Sequence, residues 1–289
     1  MKLRTSGFGG RRVQAWATAC IVLSASALAG QDRSGDIRAN DGLRHARGEL
    51  VAPVFEGWFR DETGTLMLSF GYFNRNFQQE LDIPIGPDNK FDAVPPDQGQ
   101  PTHFVTRRQW GVFAVPVSKQ LEERLLAEKK SITWTLRANN QSVTIPANIG
   151  PAYAIDALKE PTVGNTPPVL QFEAAPASGT GPFGAKTNIK AAAGMPVTVK
   201  YKVTDDGKAL PQKRNIGVTL NWIRYRGPGA VKIADATKSL ANGNGEAAIT
   251  ATFAEPGEYV LRVEASDTEI HDFHCCWSNG YIHASVAPR

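Results

Sequence analysis

The chain has 289 residues, enough for two ordinary domains with separate cores. Its apolar content of 42% is ordinary, while 27 glycines and 19 prolines favour many short strands and turns over long helices. The net charge of +4 (32 basic, 28 acidic residues) owes its excess to Lys2, Arg4, Arg11 and Arg12. Without those four each sign counts 28, so the electrostatic warrant for nucleic-acid or other polyanion binding disappears.

Residues 1–29 read as a secretory signal peptide. The four cations form its basic start, Val13 to Leu28 is mostly apolar or small, and Ala27-Leu28-Ala29 supplies a small-x-small cleavage site before Gly30. The apolar run is too short, and too rich in Ala, Ser and Thr, for a membrane anchor. The expectation is a secreted or periplasmic protein with no integral membrane segment after cleavage. Residues 30–49 are polar and lack apolar periodicity, as in a flexible mature N-terminus.

Residues 50–158 predict an antiparallel β domain. Val54 to Phe59 and Thr65 to Asn74 flank an Asp61-Glu62-Thr63-Gly64 turn as a hairpin. Leu81 to Ile85 contains Pro84 and belongs at an edge. Ile85 to Pro101 reads as a long loop, and Trp110 to Val117 as a strand. Ser118 caps a short amphipathic helix to Lys130. Ser131 to Ala138 and Gln141 to Ile145 form a hairpin across Asn139-Asn140.

Residues 159–168 hold three prolines and read as a linker. Residues 169–289 predict a second sandwich. Val197, Val199, Tyr201 and Val203 alternate, as do Val218, Leu220 and Trp222, and Ala247, Ile249, Ala251 and Phe253. After the Pro256-Gly257 turn, Tyr259, Leu261, Val263 and Ala265 share one face. Val260, Arg262 and Glu264 share the other, the pattern of a half-buried strand. Residues 174–195 carry no clear strand pattern, and Tyr281 to Val286 closes the sheet.

Two stretches carry a resemblance. Trp222-x-x-x-x-Gly227-Pro228-Gly229-x-Val231-x-Ile233 is followed by Ala251-x-Phe253-x-x-Pro256-Gly257-x-Tyr259-Val260-Leu261-Arg262-Val263-x-Ala265-Ser266-Asp267. Together they resemble the PKD-type immunoglobulin-like repeats of secreted and cell-surface proteins, although the Gly-Asp-Gly common after the Trp is absent. The whole arrangement resembles uncharacterised secreted bacterial two-domain β proteins. The resemblance implies an all-β chain of two antiparallel sandwich-like domains. It also implies a spacer, adhesion or binding role without catalysis, with a protein or polysaccharide as partner.

The sharpest cluster of chemistry is His271-Asp-Phe-His274-Cys275-Cys276-Trp277, with His283 on the closing strand. Three readings stand. Cys275 and Cys276 form a vicinal disulfide in an oxidising compartment, stiffening a binding loop of Cys275, Cys276 and Trp277. Alternatively, His271, His274, Cys275, Cys276 and His283 hold zinc or copper, or the cysteines bond between chains. The first reading needs no cofactor. Trp58 and Trp110 are candidates for stacking on sugar rings, set against ordinary core packing. Asp88, Asn89, Asp92 and Asp97 offer oxygen ligands without a recognised spacing, and His103, Arg107 and Arg108 offer cations for an anion. No nucleophile elbow, zincin helix, P-loop or dinucleotide glycine pattern occurs, and the expectation is a protein that is not an enzyme.

Overall fold

The computed structural model describes residues 45–175, 177–208, 217–267 and 275–289, and most of them lie in strands. Residues 1–44, which include the expected signal peptide and most of the polar stretch after it, lie outside the described residues, as do His271 and His274.

The first group comprises β1 (Val51–Arg60), β2 (Leu66–Asn74), β3 (Leu81–Asp82), β4 (Asn89–Asp92), β5 (His103–Phe104) and β6 (Arg107–Val117). After it come α1 (Lys119–Glu128), β7 (Thr133–Ala138) and β8 (Gln141–Pro146). Sheets β1-β2-β6 and β4-β7-β8 and the pair β3-β5 are antiparallel. Their facing sides meet over an aromatic core. Phe70 stacks on Phe113 at 5.5 Å, Phe91 on Trp134 at 5.8 Å, and the two pairs contact each other edge-on. Offset and edge-on geometries suit the ring quadrupoles, and each large buried side chain contributes roughly 1.5–3 kcal/mol. Ser118 caps α1 by accepting from the Leu121 N–H at 3.3 Å. Asn139 and Asn140 both take positive φ, the primed geometry a two-residue hairpin requires. The expected long loop over 85–101 contains β4. Its Asn89 is fully buried, donating to the Ile83 and Pro101 carbonyls and accepting from the Trp134 indole.

The second group comprises β9 (Val169–Phe172), β10 (Ser178–Gly179), β11 (Ala185–Ala192), β12 (Pro196–Thr204) and β13 (Val218–Arg226). It continues with β14 (Val231–Ala234), β15 (Thr237–Leu240), β16 (Gly245–Phe253), β17 (Gly257–Ser266) and β18 (Trp277–Ala287). Two five-stranded sheets, β10-β9-β12-β16-β14 and β11-β18-β17-β13-β15, pack face to face. Leu170, Phe172, Tyr201 and Ile249 of one meet Trp222, Leu261, Val263 and Ile282 of the other. The Tyr259 hydroxyl donates to the Glu255 carbonyl at 3.0 Å. This fastens the corner entering β17 as the tyrosine corner of immunoglobulin-like sandwiches does. The all-β expectation therefore holds.

Its strand count does not extend far enough. β11 lies in the stretch without a strand pattern and pairs in parallel with β18, an exception to the antiparallel rule. Ala-Lys-Thr-Asn-Ile-Lys-Ala-Ala is a polar edge sequence, and its partner rather than its own apolar content defines it. Residues 45–289 form one compact unit.

Candidate functional site

The site grows from an irregularity in β6. Between the pairs Phe70–Phe113 and Tyr72–Gln109, residues Trp110, Gly111 and Val112 stand opposite Gly71 alone. Such a bulge bends the strand and frees backbone groups from the ladder. The freed carbonyls are taken up by side chains of the second sandwich. Trp110 O accepts from Arg262 Nη2 at 3.4 Å, and Gly111 O from Trp277 Nε1 at 3.3 Å and Asn279 Nδ2 at 2.7 Å. Val112 O accepts from the Tyr281 hydroxyl at 2.7 Å. Gly111 has φ +43, and a Cβ there would run into the Trp277 indole. Behind the bulge, Glu56 accepts from Arg108 at 2.6 Å. Burial pushes the Glu56 carboxyl up, against the opposing pull of the Arg108 guanidinium.

These donors project from the outer face of β17 and β18. The alternation there predicts a half-buried strand, and the structure corrects it. Arg262 is 1% exposed and Glu264 6%, because the first β group covers them. Arg262 pairs with Glu264 at 2.9 Å and donates from Nε to Asn279 at 2.9 Å. Charges this deep persist only when paired and bonded. Further along the seam, Arg226 makes two bonds to Asp97, at 3.1 and 2.8 Å, and these hold the Asp97 carboxyl below its ordinary range. The ring nitrogens of His103 each lie 3.0 Å from a carboxylate, Glu80 and Asp82, and Arg224 reaches Asp82 as well. Arg107 lies over the Phe77 ring. The cations considered for an anion thus have partners within the chain, as does Asp97 of the oxygen-ligand group.

Cys275 and Cys276 are joined as a vicinal disulfide. Their sulfurs lie 4.0 and 3.5 Å from the Asn165 carbonyl oxygen; disulfide sulfurs carry no proton, so these are packing contacts. Cys275, Cys276 and Trp277 are 3%, 1% and 1% exposed. The expected binding loop of Cys275, Cys276 and Trp277 is buried at these three residues: the Gly111 bulge and the Asn165 loop cover them. Of the expected metal ligands, His271 and His274 lie outside the described residues, and the other three do not come together. His283 lies roughly 20 Å along the extended β18 from the cysteines, and the sulfurs bond each other. Among the described residues no group of three or more His, Cys, Asp and Glu side chains is placed to hold a metal ion. His283 instead faces a cleft of about 600 Å³ shared with Lys186, Arg226 and the exposed ring of Phe183. Partial burial and the charges of Lys186 and Arg226 push its pKa down.

Both candidate sugar platforms have contacts within the chain. Trp58 is half-buried against the first core and donates to the Gly150 carbonyl at 2.9 Å. The Arg108 guanidinium covers one face of the Trp110 ring, 3.7 Å from its centroid.

A second feature lies beside the disulfide. The 159–168 stretch, expected as a linker, is folded on itself. Glu160 accepts from the backbone N–H groups of Thr162 and Val163, each at 2.7 Å, and its own N–H donates to Asn165 O at 2.7 Å. Asn165 is buried and donates from Nδ2 to Asp267 Oδ2 at 2.8 Å, at the end of β17. Burial, and the charges of Asp205 and Asp206 just past β12, push Asp267 up to about 7. In the sequence Asn165 falls within the expected linker, and Asp205-Asp206 before Gly207 has the look of a turn. The available signal was an Asp just past each of two strands that end at the same pole of a sandwich.

No protein-family model and no curated protein matches the chain. Among solved structures it is similar to domains 4 and 5 of the S-layer protein SbsC, with 10% identity over 55% of this chain and 66% of that one and a TM-score of 0.25. It is also similar to the D00-D0 domain of intimin, with 14% identity, 81% and 99% coverage and a TM-score of 0.25. A PKD domain from the KIAA 1837 protein gives 16% identity, 40% and 92% coverage and a TM-score of 0.22. The likeness is one of β architecture alone.

Proposed function

We propose that the chain is an exported, non-catalytic scaffold or binding protein of the cell envelope, with a protein or polysaccharide partner. The observation supporting this is the use made of its buried polar groups. Arg262, Glu264, Asn279 and Tyr281, with Arg226 and Asp97, bond one another or backbone carbonyls across the seam and so hold two β modules as one body. Groups committed to fixing relative orientation suit a part that presents surfaces at set positions. Trp277 acts here as a positioning residue that seats the seam, while the Cys275–Cys276 disulfide packs on the Asn165 carbonyl. Among the described residues no helix is long and apolar enough to cross a membrane.

Fractionation of cells producing the full chain with a C-terminal epitope tests this reading. The expected product starts at Gly30, sits in the envelope or the medium, and cross-links there to a polymer or protein. A cytosolic product that keeps residues 1–29 would overturn export, and turnover of a substrate by the purified chain would overturn the non-catalytic role.

A further inference from the structure

Three side-chain oxygens at the disulfide end of the second sandwich are buried and have no hydrogen-bond partner: Asn165 Oδ1, Asp205 Oδ1 and Asp267 Oδ1. All three are acceptors. Asn165 is 4% exposed and Asp267 8%. Their orientation is set by their other atoms. Asn165 Nδ2 holds Asp267 Oδ2 at 2.8 Å, and Asp205 Oδ2 accepts from the Gly207 N–H at 2.9 Å. The Thr166 N–H and hydroxyl both donate to Asp206 Oδ2 at 3.1 Å, which ties the residue after Asn165 to the residue after Asp205. Lys208 reaches the Gly164 carbonyl and Asp206, and no salt bridge to Asp205 or Asp267 occurs among the described residues.

A buried carboxylate oxygen without a donor costs stability, and native proteins seldom leave one unsatisfied. A water molecule brings two donors and no charge to three acceptors and two carboxylates. A divalent cation satisfies acceptors of this kind and offsets both charges. The donors are all oxygen, which selects a hard ion. They come from three separate segments with irregular geometry, which suits calcium better than magnesium with its strict octahedron. We infer that Asn165, Asp205 and Asp267 form a calcium site, completed by water, that pins the 159–168 connector to the ends of β12 and β17. The site lies against the disulfide, since Asn165 also packs its carbonyl on both sulfurs. This inference is independent of the proposed envelope role.

Calorimetric titration of the chelator-treated full chain with calcium chloride, beside magnesium chloride, tests it. The expected result is one calcium bound with a Kd on the order of 10⁻⁴–10⁻³ M, the range of extracellular modules, and a rise in Tm of roughly 5 °C at saturation. Asp205→Asn and Asp267→Asn should each weaken binding at least about tenfold. A wild-type chain that binds no calcium, or a double variant that binds it as well as wild type, overturns the site. The variants also carry a calcium-free readout. Without the ion, Asp267→Asn should melt above wild type, because it removes an uncompensated buried charge. A lower melting point there would mean that Asp267 already has its counterpart, and would equally overturn the assignment.

Discussion

On its inner face β17 sets Tyr259, Leu261, Val263 and Ala265 into the sandwich core; on its outer face it sets Val260, Arg262 and Glu264 against the first β group. Both faces are buried, but different forces hold them. The inner face gains from removing apolar surface from water and from close packing, which tolerate small shifts and need no particular partner atom. The outer face gains only when each polar atom meets its counterpart, because an unmet one carries the full cost of its desolvation. The inner contact therefore supplies stability, and the outer one fixes a single register between two modules.

That contrast can be broken at Arg262. Arg262→Ala removes the buried Arg262–Glu264 ion pair and the bond to Asn279, and should cost about 3–5 kcal/mol, read as a fall in urea midpoint. The double variant Arg262→Met with Glu264→Leu should recover most of the loss. A double variant no better than the single would place the energy of this face in packing rather than in pairing. On the inner face, Leu261→Ala should cost about 3 kcal/mol through the cavity it leaves, and no change at a polar partner should restore it. Tyr259→Phe removes one bond from the corner and should cost about 1 kcal/mol, with β17 otherwise in place.

The smallest effect is expected at His283, on the outer face beyond the seam. Partial burial and the charges of Lys186 and Arg226 hold its pKa below the unfolded value. Its neutral form is the one the fold favours. The stability it contributes is therefore present above the unfolded pKa of about 6.5 and is lost as the pH falls through the lower folded value. His283→Gln should flatten the decline in Tm between about pH 7 and pH 5. An equally steep decline in the variant would assign that pH dependence elsewhere.

Much of the second sandwich could be read from its pattern, because alternation along β12, β13, β16 and β17 marks the side that faces the core. A Tyr just after Pro256-Gly257 suits the penultimate strand of such a sandwich, and the structure adds its corner bond to the Glu255 carbonyl. The outer face could not be read the same way. Arg262 and Glu264 look like solvated charges until another module is laid over them, and no local signal distinguishes the two cases. Gly111 looks like any strand glycine, and its meaning depends on Trp277, far along the chain. The disulfide was legible from the cysteine pair, whereas its burial was not, since the Asn165 loop that covers it reads as a linker. β11 escaped notice because a polar edge strand borrows its structure from β18.

β18 follows in chain order every element it holds together. It supplies Ile282, Ala284 and Val286 to one core, and Trp277, Asn279 and Tyr281 to the seam. It also pairs with both β17 and β11. A chain delivered from its N-terminus, as from a ribosome or through a pore, presents this strand after the segments that depend on it. Until then one sheet lacks the strand that joins β11 to β17, and the freed carbonyls of Gly111 and Val112 lack their donors Trp277, Asn279 and Tyr281. The architecture thus defers its own completion, keeping the earlier segments open until the strand that closes both halves has arrived.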